Sequence, residues 1–116
     1  EVDVLMIPAI NWGGHRPEVQ SLMELPRKRY PCTFLWNSFS INWDGKVSFC
    51  NVDFNHLGII GDLREQTIAE VWNSPEFERY RSLHKAGRWS EIDLCRDCNY
   101  WAYTRNVWYP TGKGWK

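Results

Sequence analysis

Two alternating runs that meet at a turn signal give the chain its clearest pattern. In Ile41-Asn42-Trp43-Asp44-Gly45-Lys46-Val47, apolar and polar positions alternate on either side of Asp44-Gly45, which is the period and turn chemistry of a β-hairpin. With Trp43-Asp44-Gly45 as a three-residue loop and Gly45 in the left-handed region, Ile41 faces Val47, Phe39 faces Phe49 and Ser38 faces Cys50. The four apolar side chains of this register share one face. Further on the period lengthens to that of a helix. Thr67-Ile68-Ala69-Glu70 is a capping box that starts a short helix burying Ile68, Val71 and Trp72, and Asn73-Ser74 breaks it. Ser74-Pro75 supplies N-cap and N1 of a second helix, with Glu76 and Glu78 in its first turn, Lys85 near its end and Gly87 as its stop. Phe77, Tyr80 and His84 or Leu83 fall on one side of it as a core stripe, with His84 serving the last carbonyls.

The flanks carry weaker patterns. Val4-Leu5-Met6-Ile7, ending at Pro8, reads as a strand or the end of a connection, and Asn11-Trp12-Gly13-Gly14 as a turn with Trp12 packed on the domain. Arg27-Lys28-Arg29 reads as a solvated linker. Residues 52–61 read as loop and short extended segments, and Trp89 to Leu94 as an approach anchored by Ile92 and Leu94. The aromatic residues after position 98 lack a basic stripe, so they cover a site or meet another domain, and Thr111 to Lys116 reads as a frayed end. The fold class is α+β: a small domain of a β-hairpin and short helices.

Composition narrows what the domain does. At 116 residues it is one domain, small enough for a bound metal to decide its stability. With 14 basic and 14 acidic residues it has no electrostatic footprint for nucleic acid or an anionic membrane. Neither a long apolar run nor a leader-like start occurs, so the expectation is a soluble cytoplasmic chain with no membrane partner.

Four cysteines carry the chemistry. Cys32, Cys50, Cys95 and Cys98 are spaced Cys-x17-Cys, 44 residues, Cys-x2-Cys. Cys95 and Cys98 set two thiolates one short turn apart, where backbone amides also point at sulfur. If the strand before Ser38 ran straight at roughly 3.3 Å per residue, Cys32 would lie about 20 Å away, too far to share a metal with Cys50. Pro31 to Asn37 therefore has to curl back. Two disulfides, a zinc module with four thiolates, and a thiol oxidoreductase using Cys95 and Cys98 are the other chemistries open to this set. His56 reads as a loop residue or a donor to a ligand, and Asp53 as a weak catalytic candidate near Cys50.

These residues also carry a family resemblance. Cys32, Gly45-x4-Cys50, Ile60-Gly61-Asp62-Leu63, Ile68-Ala69-Glu70-Val71-Trp72-Asn73-Ser74 and Leu94-Cys95-x2-Cys98 together resemble the SPASM/twitch domain at the C-terminus of radical S-adenosylmethionine enzymes. The full SPASM pattern continues with three further cysteines and holds two auxiliary [4Fe-4S] clusters; here no cysteine follows Cys98, so the shorter twitch type is the nearer match. The resemblance implies that Cys32, Cys50, Cys95 and Cys98 bind one [4Fe-4S] cluster serving electron transfer or substrate positioning, with zinc as the alternative metal. It implies no catalytic residue in this chain. It also implies an upstream radical S-adenosylmethionine barrel in the same polypeptide, with its own [4Fe-4S] cluster, S-adenosylmethionine and a sugar, cyclitol or peptide substrate. The Cys-x3-Cys-x2-Cys of such a barrel is missing and the chain starts at Glu1, so the expectation is a fragment. Its parts would be a connecting segment over 1–30, the cluster domain over 31–101 and an aromatic tail over 102–116.

Overall fold

In the computed structural model, residues 10–20 and 25–102 are described. The Val4 to Ile7 run and the tail beyond residue 102 lie outside them. The described elements are α1 (Pro17–Gln20), α2 (Phe34–Asn37), β1 (Ser40–Ile41), β2 (Lys46–Ser48), β3 (Ile59–Asp62), α3 (Ile68–Trp72), α4 (Pro75–Lys85), a 3-10 turn over Trp89–Glu91 and α5 (Asp93–Arg96). Short helices and one antiparallel sheet make this an α+β fold, as expected.

The hairpin follows from its turn chemistry. Asn42 N–H donates to Lys46 O at 2.8 Å and Gly45 N–H to Asn42 O at 3.0 Å, and Gly45 takes φ 85°, which a glycine adopts without a Cβ penalty. Ile41 then lies opposite Val47 and Ser40 opposite Ser48, the register expected. A third strand joins that the sequence pattern left as an extended segment. β3 pairs antiparallel with β2, giving the order β1-β2-β3, with a register irregularity between Val47 and Ser48. Burial along the shared face is uneven. Val47 and Phe49 are buried, whereas Ile41 is 52% exposed because β1 is a two-residue edge strand.

Both caps form as the residue types dictate. Thr67 accepts from Glu70 N–H while the Glu70 carboxylate accepts from Thr67 N–H at 2.7 Å, a full capping box. Ser74 accepts from Phe77 N–H at 3.2 Å with Pro75 at the first helical position. At the other end of α4, Arg88 N–H reaches Leu83 O and Gly87 N–H reaches His84 O, with Gly87 at φ 74°, a Schellman ending. Helix α3 departs from expectation at its start. Ile68 is 58% exposed because five residues allow only the stripe of Val71 and Trp72 to meet the core. Gly61 lets α3 lie on the sheet: a Cβ there would sit 2.6 Å from Val71 Cγ2.

One core joins these layers: Leu35 from α2, Val47 and Phe49 from the hairpin, Ile60 from β3, Val71 from α3, Phe77 and Tyr80 from α4, Ile92 just before α5 and Leu94 within it. Ile92 and Leu94 are the anchors expected. Arg81 is buried as well, its guanidinium 3.9 Å from the Phe77 ring centre and 4.6 Å from that of Trp72. It donates Nε–H to Leu35 O and Nη1–H to Trp72 O, both at 2.9 Å, which fastens α2 to the end of α3. Among the described residues no helix is long and apolar enough to cross a membrane.

Candidate functional site

Four chain segments bring their cysteines to one cavity. Cys32 precedes the single turn of α2, and that turn supplies the curl that an extended 32–38 segment would lack. Cys50 follows β2 and Phe49, Cys95 lies within α5, and Cys98 follows that helix. All four line the same cavity, whose walls include Phe34, Leu35, Phe49, Val52, Leu94, Tyr100 and Trp101. It encloses about 370 Å³ of space not filled by atoms, part of it open to solvent. Tyr100 and Trp101 thus cover the site, one of the two roles expected for aromatic residues after Cys98.

The cysteines are free thiols, so neither disulfide pairing is formed. Burial pushes the thiols of Cys50 and Cys95 up, and the neighbouring cysteines push the same way. Burial also raises Cys98, opposed by the backbone amides of Tyr100, Trp101 and Gly13 and by Arg29. Tyr100 N–H lies 3.3 Å from Cys98 Sγ. A thiol oxidoreductase needs a depressed thiol pKa, the reverse of these shifts. Apolar walls with backbone N–H groups turned toward sulfur instead suit thiolates bound to a cationic centre that offsets the desolvation.

Two basic residues of the wall were not legible as site residues. His84 is fully buried, and its Nδ1 accepts from Cys32 N–H at 3.2 Å. This corrects the reading of His84 as a helix-end cap: it faces the cavity, and its buried Nε2 has no hydrogen-bond partner among the described residues. Burial first, then the charge of Arg29, lowers the His84 pKa to about 4, so the ring is neutral near pH 7 and Nε2 carries the proton. Arg29 departs from the solvated-linker reading even more clearly. Arg27 and Lys28 are exposed, but Arg29 turns in to line the cavity.

The segment before α1 also reaches the site. Residues 12–15 form the expected turn, with Gly13 at φ 68° and Gly14 at φ 89°. A Cβ on Gly13 would fall 2.6 Å from Leu94 Cδ1 and one on Gly14 2.9 Å from Asp97 Cβ, so both glycines are needed for the turn to lie against the Cys95–Cys98 loop. Trp12 itself is 43% exposed and meets Phe54 edge-on at 6.2 Å, rather than packing into the domain.

The other two candidates serve the loop after Cys50. Asp53 is buried and accepts from Ser48 Oγ at 2.6 Å, Gly58 N–H at 2.7 Å and Leu57 N–H at 2.8 Å, a loop-organising carboxylate rather than a catalytic one. His56 is exposed, adopts φ 59° and pairs with Asn42 Nδ2 at 3.0 Å, away from the cysteines. It is the loop residue expected. Among the described residues no three His, Cys, Asp or Glu side chains converge as ligands of one metal ion.

Comparison with known proteins adds the following. The family model for SPASM, an iron-sulfur cluster-binding domain, matches residues 32–99. The S-adenosyl-L-methionine-dependent 2-deoxy-scyllo-inosamine dehydrogenase of Niallia circulans is 36% identical over 55 residues, 47% of this chain and 22% of the relative. An uncharacterized protein of Treponema pallidum (strain Nichols) is 28% identical over 82 residues, 67% of this chain and 21% of the relative. Among solved structures, that of BtrN in complex with AdoMet and 2-DOIA is similar with a TM-score of 0.65 and 29% identity, over 78% of this chain and 34% of that one. The chain thus spans about a fifth of the length of these curated relatives and a third of the BtrN chain.

Proposed function

Since the chain belongs to the SPASM family of iron-sulfur cluster-binding domains, we propose that Cys32, Cys50, Cys95 and Cys98 together hold one [4Fe-4S] cluster, as the auxiliary centre of a radical S-adenosylmethionine enzyme. The observation that carries the ligand set is the convergence of all four cysteines, from segments up to 66 positions apart, on one apolar cavity. The donor set fits the group. Four thiols, backbone amides turned to Cys98 and the buried Nε2 of His84, which has no hydrogen-bond partner among the described residues, are what a thiolate-bound inorganic core would satisfy. The 17-residue first spacing, where zinc ribbons keep two short pairs, and the SPASM family match favour a polynuclear core over one zinc ion.

When bound, such a cluster would supply a one-electron store to the chemistry of the barrel domain. Four cysteine ligands leave no iron open for substrate, which favours electron transfer over direct substrate ligation. This chain's own part is to position the thiolates, to exclude water through the walls of Phe34, Leu35 and Trp101, and to fix the dielectric and hydrogen bonding that set the potential. A barrel upstream in the same polypeptide, acting on a sugar, cyclitol or peptide, is the partner this reading implies. The cluster domain would occupy 31–101, joined to that barrel through 1–30 and followed by the tail 102–116.

The test is metal analysis of the chain prepared without oxygen. About four irons and four sulfides per chain with a broad visible band is the expected result. One zinc without sulfide, persisting after anaerobic reconstitution, would overturn it. Each single Cys→Ala variant should lose most of the cluster. Full iron content in Cys32→Ala would exclude Cys32 from the ligand set.

A further inference from the structure

Arg29 is a cation in an apolar wall that forms no salt bridge among the described residues. Its guanidinium carbon lies 4.9 Å from the ring centre of Trp89 and 5.5 Å from that of Trp101. Nη2–H donates to Cys95 O at 2.8 Å and Nη1–H to Arg96 O at 3.3 Å, so the backbone carrying Cys95 fixes the plane of the fork. Arg29 Nε is buried and has no hydrogen-bond partner among the described residues. Cys95, Cys98 and Cys32, and beyond them Asp97, lie near enough for their ionised forms to act on its charge.

A charge held this way needs a counter-charge, because indole faces and two carbonyls offset only part of its desolvation. The cavity it lines is where four thiolates would stand. A [4Fe-4S] core bound by four thiolates carries net negative charge, and one more electron makes it more negative. A fixed cation in a poorly screened wall favours the reduced state over the oxidised one.

We infer that Arg29 is the charge-balancing residue of the cysteine site: its half-buried guanidinium, held by the Cys95 and Arg96 carbonyls beside Trp89 and Trp101 with Nε turned inward, raises the midpoint potential of the cluster bound there and supplies Nε–H as a donor to it. The inference rests on the cluster reading above. Trp89 and Trp101 act through Arg29, as walls that keep water from screening it. The three residues thereby give the domain a potential set by the protein rather than by solvent.

The experiment is a redox titration of the full chain after anaerobic reconstitution, followed by electron paramagnetic resonance, with iron and sulfide counted in each sample. Arg29→Gln removes the charge and keeps a donor, and Arg29→Lys keeps the charge and loses the fork. The expected result is that Arg29→Gln with full iron shifts the reduction equilibrium at least tenfold toward the oxidised state, about 59 mV for one electron. Arg29→Lys should recover more than half of that shift. An unchanged potential in fully loaded Arg29→Gln overturns the inference. If Arg29→Gln fails to hold a cluster, Arg29→Lys decides: full loading supports the charge role, and equal loss marks Arg29 as a packing residue and overturns it. Absence of sulfide from the unsubstituted chain is a different result, which removes the cluster reading and this inference together.

Discussion

Asn11 and Asn99 hold each other by reciprocal hydrogen bonds: Asn11 N–H donates to Asn99 Oδ1 at 2.9 Å, and Asn99 N–H donates to Asn11 Oδ1 at 3.0 Å. Both are fully buried, and Asn11 Nδ2 also donates to Asp97 O at 2.6 Å. The clasp ties the turn that begins at Asn11 to the loop holding Cys98. Asn11→Ala deletes two of these bonds and strands a buried N–H and a carbonyl, at a cost of about 2 kcal/mol. Thermal unfolding of the loaded chain should show the loss, and iron should leave the variant faster under a chelator. Unchanged unfolding and iron release would mean that the turn contributes nothing to the site.

Gly58 is held against the core ring that precedes Cys50. A Cβ there would fall 2.2 Å from Phe49 Cε1 and 2.5 Å from Phe49 Cδ1, and Gly58 N–H is one of the three donors to Asp53. Gly58→Ala should therefore cost about 1–3 kcal/mol by overpacking. Asp53→Ala should cost a similar amount by releasing those three donors. Urea unfolding measures both, and the double variant should cost less than the sum, because the two residues fix the same loop.

What the sequence made legible is the chemistry of short separations. The Asp44-Gly45 turn, the Thr67–Glu70 box and the Ser74-Pro75 start each place donor and acceptor within three or four residues, so residue type alone selects the geometry. The cysteine spacing was legible for the same reason at Cys95 and Cys98, and by family pattern at Cys32 and Cys50. Arg29, His84 and Asn11 were not. Their partners lie 66, 52 and 88 positions away, and no local period distinguishes an arginine that turns toward the cavity from its exposed neighbours Arg27 and Lys28. The residues of strand β3 show only an extended pattern, since its pairing depends on β2 and its glycine on α3.

Asp62 supplies a pH test outside the cysteine site. The side chain of Arg64 first, then its backbone N–H, holds the Asp62 carboxyl down at about 2, below its ordinary 3.8. A depressed carboxylate contributes stability that is present above the unfolded value and lost as pH falls through the folded one. The window is therefore about pH 4 down to 2. Carboxyl chemical shifts should show Asp62 titrating near the bottom of that range, and Arg64→Ala should return it toward the ordinary value. A midpoint near 3.8 in the unsubstituted chain would show that the pair is not formed in solution.

His84 yields the prediction that joins fold to site. It closes the core stripe of Phe77 and Tyr80 on α4, yet its Nδ1 accepts from the backbone of Cys32, so the helix sets where that cysteine stands. Leucine would keep the apolar contacts of the position and delete the acceptor. His84→Leu should thus leave α4 helical while lowering cluster loading, because Cys32 loses the bond that fixes its backbone on the cavity wall. His84→Gln, which keeps an acceptor, should retain more iron than His84→Leu at equal helix content. Circular dichroism and iron analysis on the same samples separate the two effects. Equal loading in the unsubstituted chain and both variants would reduce His84 to a packing residue, and a loss of helix in parallel with iron would place its role in the fold rather than in the position of Cys32.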